Sequence, residues 1–406
     1  MSIKWCCATF VLFGVVCAPL QPVFAPSRGS CAAPALAAAG MTLHAVWIDD
    51  AARRITVRYR RSADAGRTWE APVDLTPELW RRSLPPAIAV AGGVVHVVWC
   101  ETGQNPAGEI VHRRSPDGGI SWEPARVLEL EAGGAGFVSV ATWSRSVYLA
   151  WADRLGRLRF KHSDDAGLTW RPAVVLGRRQ REHDCSAAPR VHADGVVTYL
   201  WADLRQDYPG MRAWLGVVPV FTGRAATVTA VDARSSADEG KTWNAGAPLV
   251  KQTVDRAAPV EFRYPSLLSE HRRQVLVWAE RSGGDEGRMR WMLSENGGRT
   301  WAAEGAIPAG GAPRRPSAVL RDGILYAVWS AVRGSSATIR VLRLGCGDNE
   351  YSVAEFAAGG PRTVDPSLAV TGDGTVHVLA CEERDGFCTL RYFRSVMGGT
   401  WEESRE

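Results

Sequence analysis

Short runs of alternating apolar and polar residues recur along this chain, and most of them end in tryptophan. They lie about 50 residues apart, except for one longer interval in the middle of the chain. Alternation with a period of two puts every second side chain on a buried face, so each run predicts a β-strand. The runs are Leu43–Trp47, Val95–Trp99, Val147–Trp151, Val197–Trp201, Val275–Trp278, Leu325–Trp329 and Val376–Ala380, which lacks the tryptophan.

A second repeat follows most of these strands and has the composition of a tight turn. Five near copies read Ser-x-Asp/Asn-x-Gly-x-Thr/Ser-Trp, and a shortened copy spans 395–401. The carboxylate can accept backbone N–H bonds, the glycine can adopt positive φ, and the tryptophan supplies a large apolar side chain. The residues to which we assign this structural role are Asp64, Asp117, Asp165, Asp238 and Asn296.

The two repeats together predict an all-β fold built from repeated sheets. From Trp301 to Trp401 the chain runs for two repeat lengths, so one turn has been lost near Gly345–Tyr351 and seven repeats result. Each repeat reads as four short antiparallel strands, which is typical of a β-propeller blade. We therefore predict one propeller domain over residues 26–406, with seven four-stranded blades.

The turn repeat resembles the Asp box, or bacterial neuraminidase repeat, of sialidases and other β-propellers. The matching turns recur over most of the chain. The resemblance implies a propeller in which the Asp boxes lie on the face opposite the active site. Sialidases have six blades, so a six-bladed ring is the alternative to the seven counted here. The active rim in such proteins is the one where first strands begin and second strands end.

Repeats five and six carry candidate ligands for an acidic sugar on that rim. Phe262-Arg263-Tyr264-Pro265 resembles a sialidase motif whose arginine clamps the substrate carboxylate, which implies this role for Arg263. Arg314 stands in the same slot before Pro316. Guanidinium groups suit bidentate carboxylate binding. The predicted substrate-binding residues are Arg263, Arg314, Tyr264, Arg333 and Tyr208, and Arg315 can add to them.

The resemblance also implies catalytic residues. Asp285 lies near the position of the family's general acid/base, in the loop after the second strand of repeat five. The family uses a tyrosine nucleophile backed by a glutamate. Tyr351, Tyr264 and Tyr208 are the candidates here, and Glu280 or Glu261 could back one of them, although none has a matching motif.

An acidic residue just past the second strand recurs in nearly every repeat. Paired carboxylates can hydrolyse glycosides, but a feature of almost all blades favours a structural role, such as bonding to the backbone of a neighbouring blade. In repeat six Ala331 replaces the acid. The recurring acids are Asp49, Glu101, Asp153, Asp203, Glu280 and Glu382.

The N-terminus has the pattern of an export signal. Lys4 precedes an apolar stretch over 5–20, and Val23-Phe24-Ala25 resembles a cleavage site, so residues 1–25 are excluded from the fold and a periplasmic, cell-surface or extracellular location is expected. No other segment is apolar enough to span a membrane. Export permits disulfides, and Cys381 with Cys388 is the favoured pair, against the alternative of buried free thiols.

The composition and motifs of the chain limit the classes of ligand that can be expected. The net charge is +5, and no basic run with interleaved aromatic residues occurs, so nucleic-acid binding is not predicted. No Cys/His cluster has metal-ligand spacing and no phosphate loop is present, so neither metal nor cofactor is predicted. Repeat four carries an insertion, 205–224, that can bind a ligand or a protein partner.

Three functions remain open from the sequence. The first is a sialidase-like exo-glycosidase acting on sialic acid or another acidic sugar. The second is a non-catalytic module that binds a glycan or an acidic small molecule on the same rim. The third is a structural or protein-interaction propeller that uses the 205–224 insertion.

Overall fold

The computed structural model describes residues 19–20, 32–51, 54–76, 85–102, 108–130, 138–153, 155–178, 190–207, 211–215, 218–221, 226–254, 260–281, 286–346, 350–357, 364–384, 387–396 and 400–404. Within these residues the secondary structure consists of strands and turns, without helices. The strands form seven four-stranded antiparallel sheets, each in sequence order. The predicted seven-bladed propeller is confirmed, and the six-bladed alternative was wrong.

The first three blades each use four consecutive strands. β1 (Pro19–Leu20) precedes them and runs parallel to the last strand of the chain. Blade one is β2 (Ala32–Ala39), β3 (Thr42–Ala51), β4 (Arg54–Ser62) and β5 (Val73–Asp74). Blade two is β6 (Ala87–Ala91), β7 (Val94–Glu101), β8 (Glu109–Ser115) and β9 (Arg126–Glu129). Blade three is β10 (Val138–Trp143), β11 (Ser146–Ala152), β12 (Arg157–Ser163) and β13 (Val174–Arg178).

Blade four contains an excursion, and the remaining blades are regular. Blade four is β14 (Arg190–Ala193), β15 (Val197–Asp207), β18 (Ala226–Ser236) and β19 (Ala247–Thr253), with a separate hairpin of β16 (Met211–Leu215) and β17 (Val218–Phe221). Blade five is β20 (Glu261–Glu270), β21 (Arg273–Arg281), β22 (Gly287–Ser294) and β23 (Ala303–Pro308). Blade six is β24 (Ala312–Arg321), β25 (Ile324–Arg333), β26 (Ser336–Gly345) and β27 (Tyr351–Ala357). Blade seven is β28 (Val364–Val370), β29 (Val376–Arg384), β30 (Phe387–Val396) and β31 (Thr400–Ser404).

The first strand of each blade faces the axis of the ring. These seven strands contact one another in blade order, and β28 of blade seven contacts β2 of blade one, so the ring is closed. The Ser367 hydroxyl accepts a 2.9 Å bond from the backbone N–H of Leu36 across this closure. Gly372 N–H donates to the Gly40 carbonyl at 2.7 Å beside it. Backbone groups at the seam are thereby paired.

The repeated turns share one hydrogen-bond pattern. In the first copy Asp64 accepts bonds from the Thr68 N–H at 2.9 Å and the Thr68 hydroxyl at 2.6 Å. The Ser62 hydroxyl donates to Asp64 at 2.8 Å and accepts from Gly66 N–H at 2.8 Å. The same bonds recur around Asp117, Asp165 and Asp238. At Asn296 the amide oxygen accepts from the Thr300 N–H in the same way, but the amide nitrogen donates to the Thr300 hydroxyl, so that bond is reversed. The side chain at this position thus organises its own turn.

Each turn also plugs the seam between two blades. The Trp122 ring meets Tyr59 of blade one edge-on at 4.7 Å, and Trp69 meets Tyr392 of blade seven at 5.3 Å. Such edge-to-face contacts add to the apolar area buried at the seam. The tryptophans of the second strands also pack between neighbouring blades. Trp99, for example, packs against Val46 and Ile48 of blade one.

Candidate functional site

A cavity of about 360 Å³ lies on the axis of the ring, and the first strands of all seven blades line it. We call the rim where first strands begin the upper rim, and the rim that carries the repeated turns the lower rim. Strand direction places the beginnings of β20, β24 and β28 at the upper rim. The side chains that line the cavity include Ala33, Ile88, Val140, His192, Tyr264, Arg315 and Asp365.

Four cavity-lining residues have an unusual backbone. Ala33, Tyr264, Arg315 and Asp365 adopt φ values of 49°, 53°, 41° and 53°, and each directly precedes a proline. The strand register shifts at all four positions. Left-handed backbone costs a non-glycine residue roughly 1–2 kcal/mol, and a bulge re-aims a side chain. The four bulges therefore hold selected side chains at the upper mouth of the cavity, and strain of this kind clusters at functional sites.

Arg315 and Asp365 form an ion pair between blades six and seven at this mouth. The Asp365 side chain is 9% exposed and that of Arg315 is 32% exposed. Burial raises the pKa of the Asp365 carboxyl to about 6, while the Arg315 and Arg314 guanidinium groups act in the opposite direction. The mouth thus holds a half-buried cation beside a carboxyl group that is poorly solvated.

The two arginines predicted to clamp a carboxylate lie one position before the cavity-lining residues. Arg263 forms an ion pair with Glu261 at 2.5 Å on the same strand and is not among the side chains that line the cavity. Arg314 is exposed and is also absent from that set. It lies close enough to Asp365 to affect its pKa. The structure brings Arg314 and Arg315 to one site, whereas Arg263 has an acidic partner of its own.

The other predicted residues lie in several places. Tyr264 lines the cavity. Glu280 stands near the end of β21, with its carboxylate 3.8 Å from Arg290 Nε. Arg333 is exposed at the end of β25. Tyr351 is 44% exposed on β27, the outermost strand of blade six, and the structure does not bring it to the axial cavity. Asp285 and Tyr208 lie outside the described residues.

The 205–224 insertion contains more regular structure than a loop. β15 and β18 extend beyond the usual strand length, pairing out to Asp207 and Ala226, and β16 pairs with β17 as a hairpin. The side chains of this segment are outside the described part of the chain. Its predicted role in binding a ligand or a partner stays a prediction.

Four of the six recurring acids pair with arginines of their own blades. Asp49 lies 3.0 Å from Arg58, and Asp153 lies 2.6 Å from Arg157. Glu382 lies 3.2 Å from Arg391. In these pairs, and in Glu280 with Arg290, the arginine is on the third strand of the same blade. This geometry favours a structural role for these acids. Each acts through an arginine of its own blade and not through the backbone of the next blade.

Blade six lacks the acid, and its arginine finds other partners. Arg340 donates to the Pro308 carbonyl at 2.9 Å and forms an ion pair with Glu355. Its guanidinium also lies 5.8 Å from the Trp329 ring centre. Replacement of the acid by Ala331 therefore does not release this cation towards the axis.

Within the described residues, no group of three or more His, Cys, Asp or Glu side chains has the geometry of a metal site. Cys381 is disulfide-bonded, whereas Cys100 and Cys346 are free and buried. The side chain of Cys388, its predicted partner, lies outside the described residues. Across the same described ranges, no helix is long and apolar enough to cross a membrane.

No family model matches the sequence, and no curated protein matches it either. Solved structures match the fold at low identity. An ulvan lyase of polysaccharide lyase family PL25 is 12% identical, with 95% of this chain and 96% of that chain covered and a TM-score of 0.57. An α-L-arabinofuranosidase from Fusarium graminearum is 13% identical, with 80% and 97% covered and a TM-score of 0.52. A Hadza microbial sialidase is 15% identical, with 84% and 74% covered and a TM-score of 0.48.

At these identities the comparisons show the fold alone. The chain is a β-propeller similar in fold to propeller glycosidases and lyases. The sequence missed Asp365 as a site residue. The available signal was its position directly before Pro366, which matches the positions of Tyr264 before Pro265 and Arg315 before Pro316.

Proposed function

We propose that this protein binds a sugar that carries a carboxylate, with the sugar in the axial cavity and its carboxylate on Arg315. The observation that carries the proposal is the Arg315 side chain at the strained mouth of a cavity of about 360 Å³. This volume is within the range of small-ligand pockets. The guanidinium offers the planar pair of donors that a carboxylate accepts.

The rest of the cavity suits the remainder of a sugar ring. Tyr264 supplies an aromatic surface with a hydroxyl, and Ser266 and Ser317 supply further hydroxyl groups. Arg314 adds positive charge beside Arg315. Sialic acid and uronic acids both have the required carboxylate. A structure of the PL25 ulvan lyase is described as bound to -[GlcA(1-4)Rha3S]-, so glucuronate belongs among the ligands to test.

Arg315→Met is expected to weaken binding of the acidic sugar about 10- to 100-fold, because a hydrogen-bonded charge pair is lost. Titration calorimetry with N-acetylneuraminic acid and with glucuronic acid measures this change. Arg343→Met is the matched control, since Arg343 is exposed on β26 and does not line the cavity. Equal affinities for wild type and Arg315→Met, with both proteins folded by circular dichroism, would contradict the proposal.

Exo-glycosidase activity is the second candidate, and the observation that favours it is the position of Tyr264. Its phenol lines the same cavity as Arg315, so a tyrosine nucleophile has access to a sugar held there. Asp285 remains the proposed acid/base, with Glu280 or Glu261 as the backing carboxylate. Activity outside the cytoplasm, predicted from residues 1–25, belongs to this proposal as well.

For exo-glycosidase activity with Tyr264 as nucleophile, Tyr264→Phe is expected to lower turnover of a fluorogenic sialoside about 100- to 10,000-fold, while the affinity for the sugar stays within a few fold. Asp285→Ala is expected to lower turnover similarly. Absence of turnover by the wild-type protein across pH 4–8 would eliminate sialidase activity and leave sugar binding as the function.

A further inference from the structure

Asp365 occupies the position that an incoming carboxylate needs. Its carboxylate is already bonded to Arg315, the cation at the mouth of the cavity. Both residues stand on left-handed backbone before a proline, in adjacent blades. Two separate bulges therefore aim the two side chains at each other. The pair is a built feature of the mouth rather than a surface contact between mobile side chains.

A ligand carboxylate and an ionised Asp365 repel each other if both approach the same guanidinium. Like charges a few ångströms apart in a poorly solvated site are not both stable, and one of the acids takes up a proton. The buried acid is the better candidate, since its charge is the less solvated of the two. We infer that binding of a sugar carboxylate to Arg315 is coupled to the uptake of one proton by Asp365, an inference that rests on the proposed function.

The charge balance supports this exchange. Before binding, Arg315 and Asp365 together carry no net charge. After binding, the ligand carboxylate pairs with Arg315, and the neutral Asp365 carboxyl can donate its new hydrogen to a ligand oxygen or to another acceptor. The pair on Arg315 again has no net charge and no buried charge is left unpaired, while the exposed Arg314 stays solvated beside it. The covalent changes are the new O–H bond of Asp365 and the loss of that proton by hydronium or a buffer acid in solution.

The charged and titratable groups around Asp365 come from the strands packed against it and from His192 on β14, which lines the same cavity. β28 packs against β2, β24, β25 and β29. β2 has no ionisable side chain, and β24 contributes Arg314 and Arg315 near its beginning and Arg321 at its end. On β25, Arg333 is exposed at the strand end and Tyr326 is buried. On β29, His377 is bonded to Thr371 and Tyr392, and Glu382 is paired with Arg391.

The pKa of Asp365 in the protein without ligand places the proton uptake in a pH range where binding can be measured. Burial raises the pKa of Asp365 to about 6, against the effect of its arginine neighbours. Below that pH the carboxyl is largely protonated before the ligand arrives. Above it, each binding event must draw a proton from solution. Affinity for the sugar acid therefore falls as the pH rises, approaching a tenfold loss per pH unit.

The test is titration calorimetry of the full chain with N-acetylneuraminic acid and glucuronic acid from pH 5 to 8. Each titration is repeated in two buffers that differ in ionisation enthalpy, which gives the number of protons taken up. For wild type we expect about one proton at pH 7.5 and about none at pH 5. This measurement needs no variant, so it does not depend on the folding of a mutant.

Asp365→Asn removes the competing charge. It is expected to bind with an affinity that changes less than threefold between pH 6 and 8, and more tightly than wild type at pH 8. Asp373→Asn is the control, because Asp373 lies on the same blade in the turn after β28 and is exposed. It should retain the wild-type pH dependence. Wild-type binding without proton uptake at pH 7.5 would overturn the inference and leave the proposed function intact. Failure of wild type to bind either sugar acid at any pH would overturn both.

Discussion

Gly119→Ala is expected to destabilise the folded protein by about 3–5 kcal/mol, from left-handed strain together with overpacking. Gly119 lies in the repeated turn of blade two with φ at 90°. A methyl group there would stand 1.8 Å from the Tyr59 hydroxyl oxygen and 2.7 Å from Cζ of the same ring. Tyr59 is buried in blade one, and its hydroxyl is 2.8 Å from His44 Nδ1. The ring cannot withdraw without losing this bond and its contact with Trp122.

Gly118→Ala provides the matched control. Its φ is 71°, so alanine meets similar backbone strain, but the nearest atom to the new methyl group is the Gly93 carbonyl oxygen at 3.9 Å. We expect a loss of about 1–2 kcal/mol, the cost of left-handed backbone alone. Urea unfolding of both variants measures the two values. If the two losses are equal, the turn does not act as a plug between blades one and two.

The ring and its repeated turns could be predicted because their chemistry is local and recurs. Ser62, Asp64, Gly66 and Thr68 are close in sequence, and their hydrogen bonds need no distant partner. The five near copies and the shortened copy follow the spacing of the second strands, and that spacing gives the count of seven blades. The lost turn between β26 and β27 could be inferred because the strand spacing continued without it.

The cavity-lining positions could not be assigned by the same reasoning. The sequence assigned the clamp to Arg263 and Arg314, two residues before a proline, and gave Tyr264 and Arg315 only supporting places, whereas Tyr264 and Arg315 are the two of these four that line the cavity. A one-residue shift in a strand moves a side chain to the opposite face. Here the shift comes from a residue with left-handed backbone directly before the proline. The known preference of a residue before proline is for extended rather than helical backbone, and it does not predict a bulge.

The ion pair at the mouth was hidden for a different reason. Arg315 and Asp365 lie in different blades, and their contact depends on how two first strands align at the axis. The repeats give the order of the blades but not the relative height of neighbouring strands. The ion pair of Arg263 with Glu261 is easier to predict from the sequence, because residues two apart on a strand have their side chains on the same face.

Between pH 6.5 and 4 the folded protein is expected to lose several kcal/mol of stability, because its buried imidazoles must remain uncharged. Burial lowers the pKa of His44, His96 and His377 to about 4; nearby arginines add to this effect, and at His377 Asp373 partly opposes it. Burial, and to a smaller extent the adjacent His96, hold the pKa of His112 well below its usual value as well. An unfolded histidine has a pKa near 6.5. The unfolded chain therefore binds protons first, and each imidazole with a pKa of about 4 costs roughly 3 kcal/mol at pH 4.

The carboxyl groups with shifted pKa values contribute less than the imidazoles to the change in stability between pH 6.5 and 4. The raised pKa of Asp365 has the opposite sign, since the folded state binds that proton more tightly. Among the described residues it is one carboxyl set against the four imidazoles named above, and burial also lowers the pKa of a fifth, His162. In the turns, the hydrogen bond from Ser121 lowers the pKa of Asp117 to about 2. Hydrogen bonds from Thr169 and Ser163 outweigh burial and lower the pKa of Asp165 to about 2 as well. The stability that these two carboxylates contribute is lost mainly below pH 4.

The chain itself offers the variant that tests this expectation. His96 and His112 stack at 5.4 Å in blade two, with their nitrogens 3.1 Å apart, and blade three has Tyr148 and Phe160 in the equivalent positions. We expect the double variant His96→Tyr/His112→Phe to fold and to show a smaller fall in Tm between pH 6.5 and 4 than wild type. His271→Asn, at an exposed turn position, should keep the wild-type slope. A double variant whose Tm falls as steeply as that of wild type would mean that the acid sensitivity arises elsewhere in the chain.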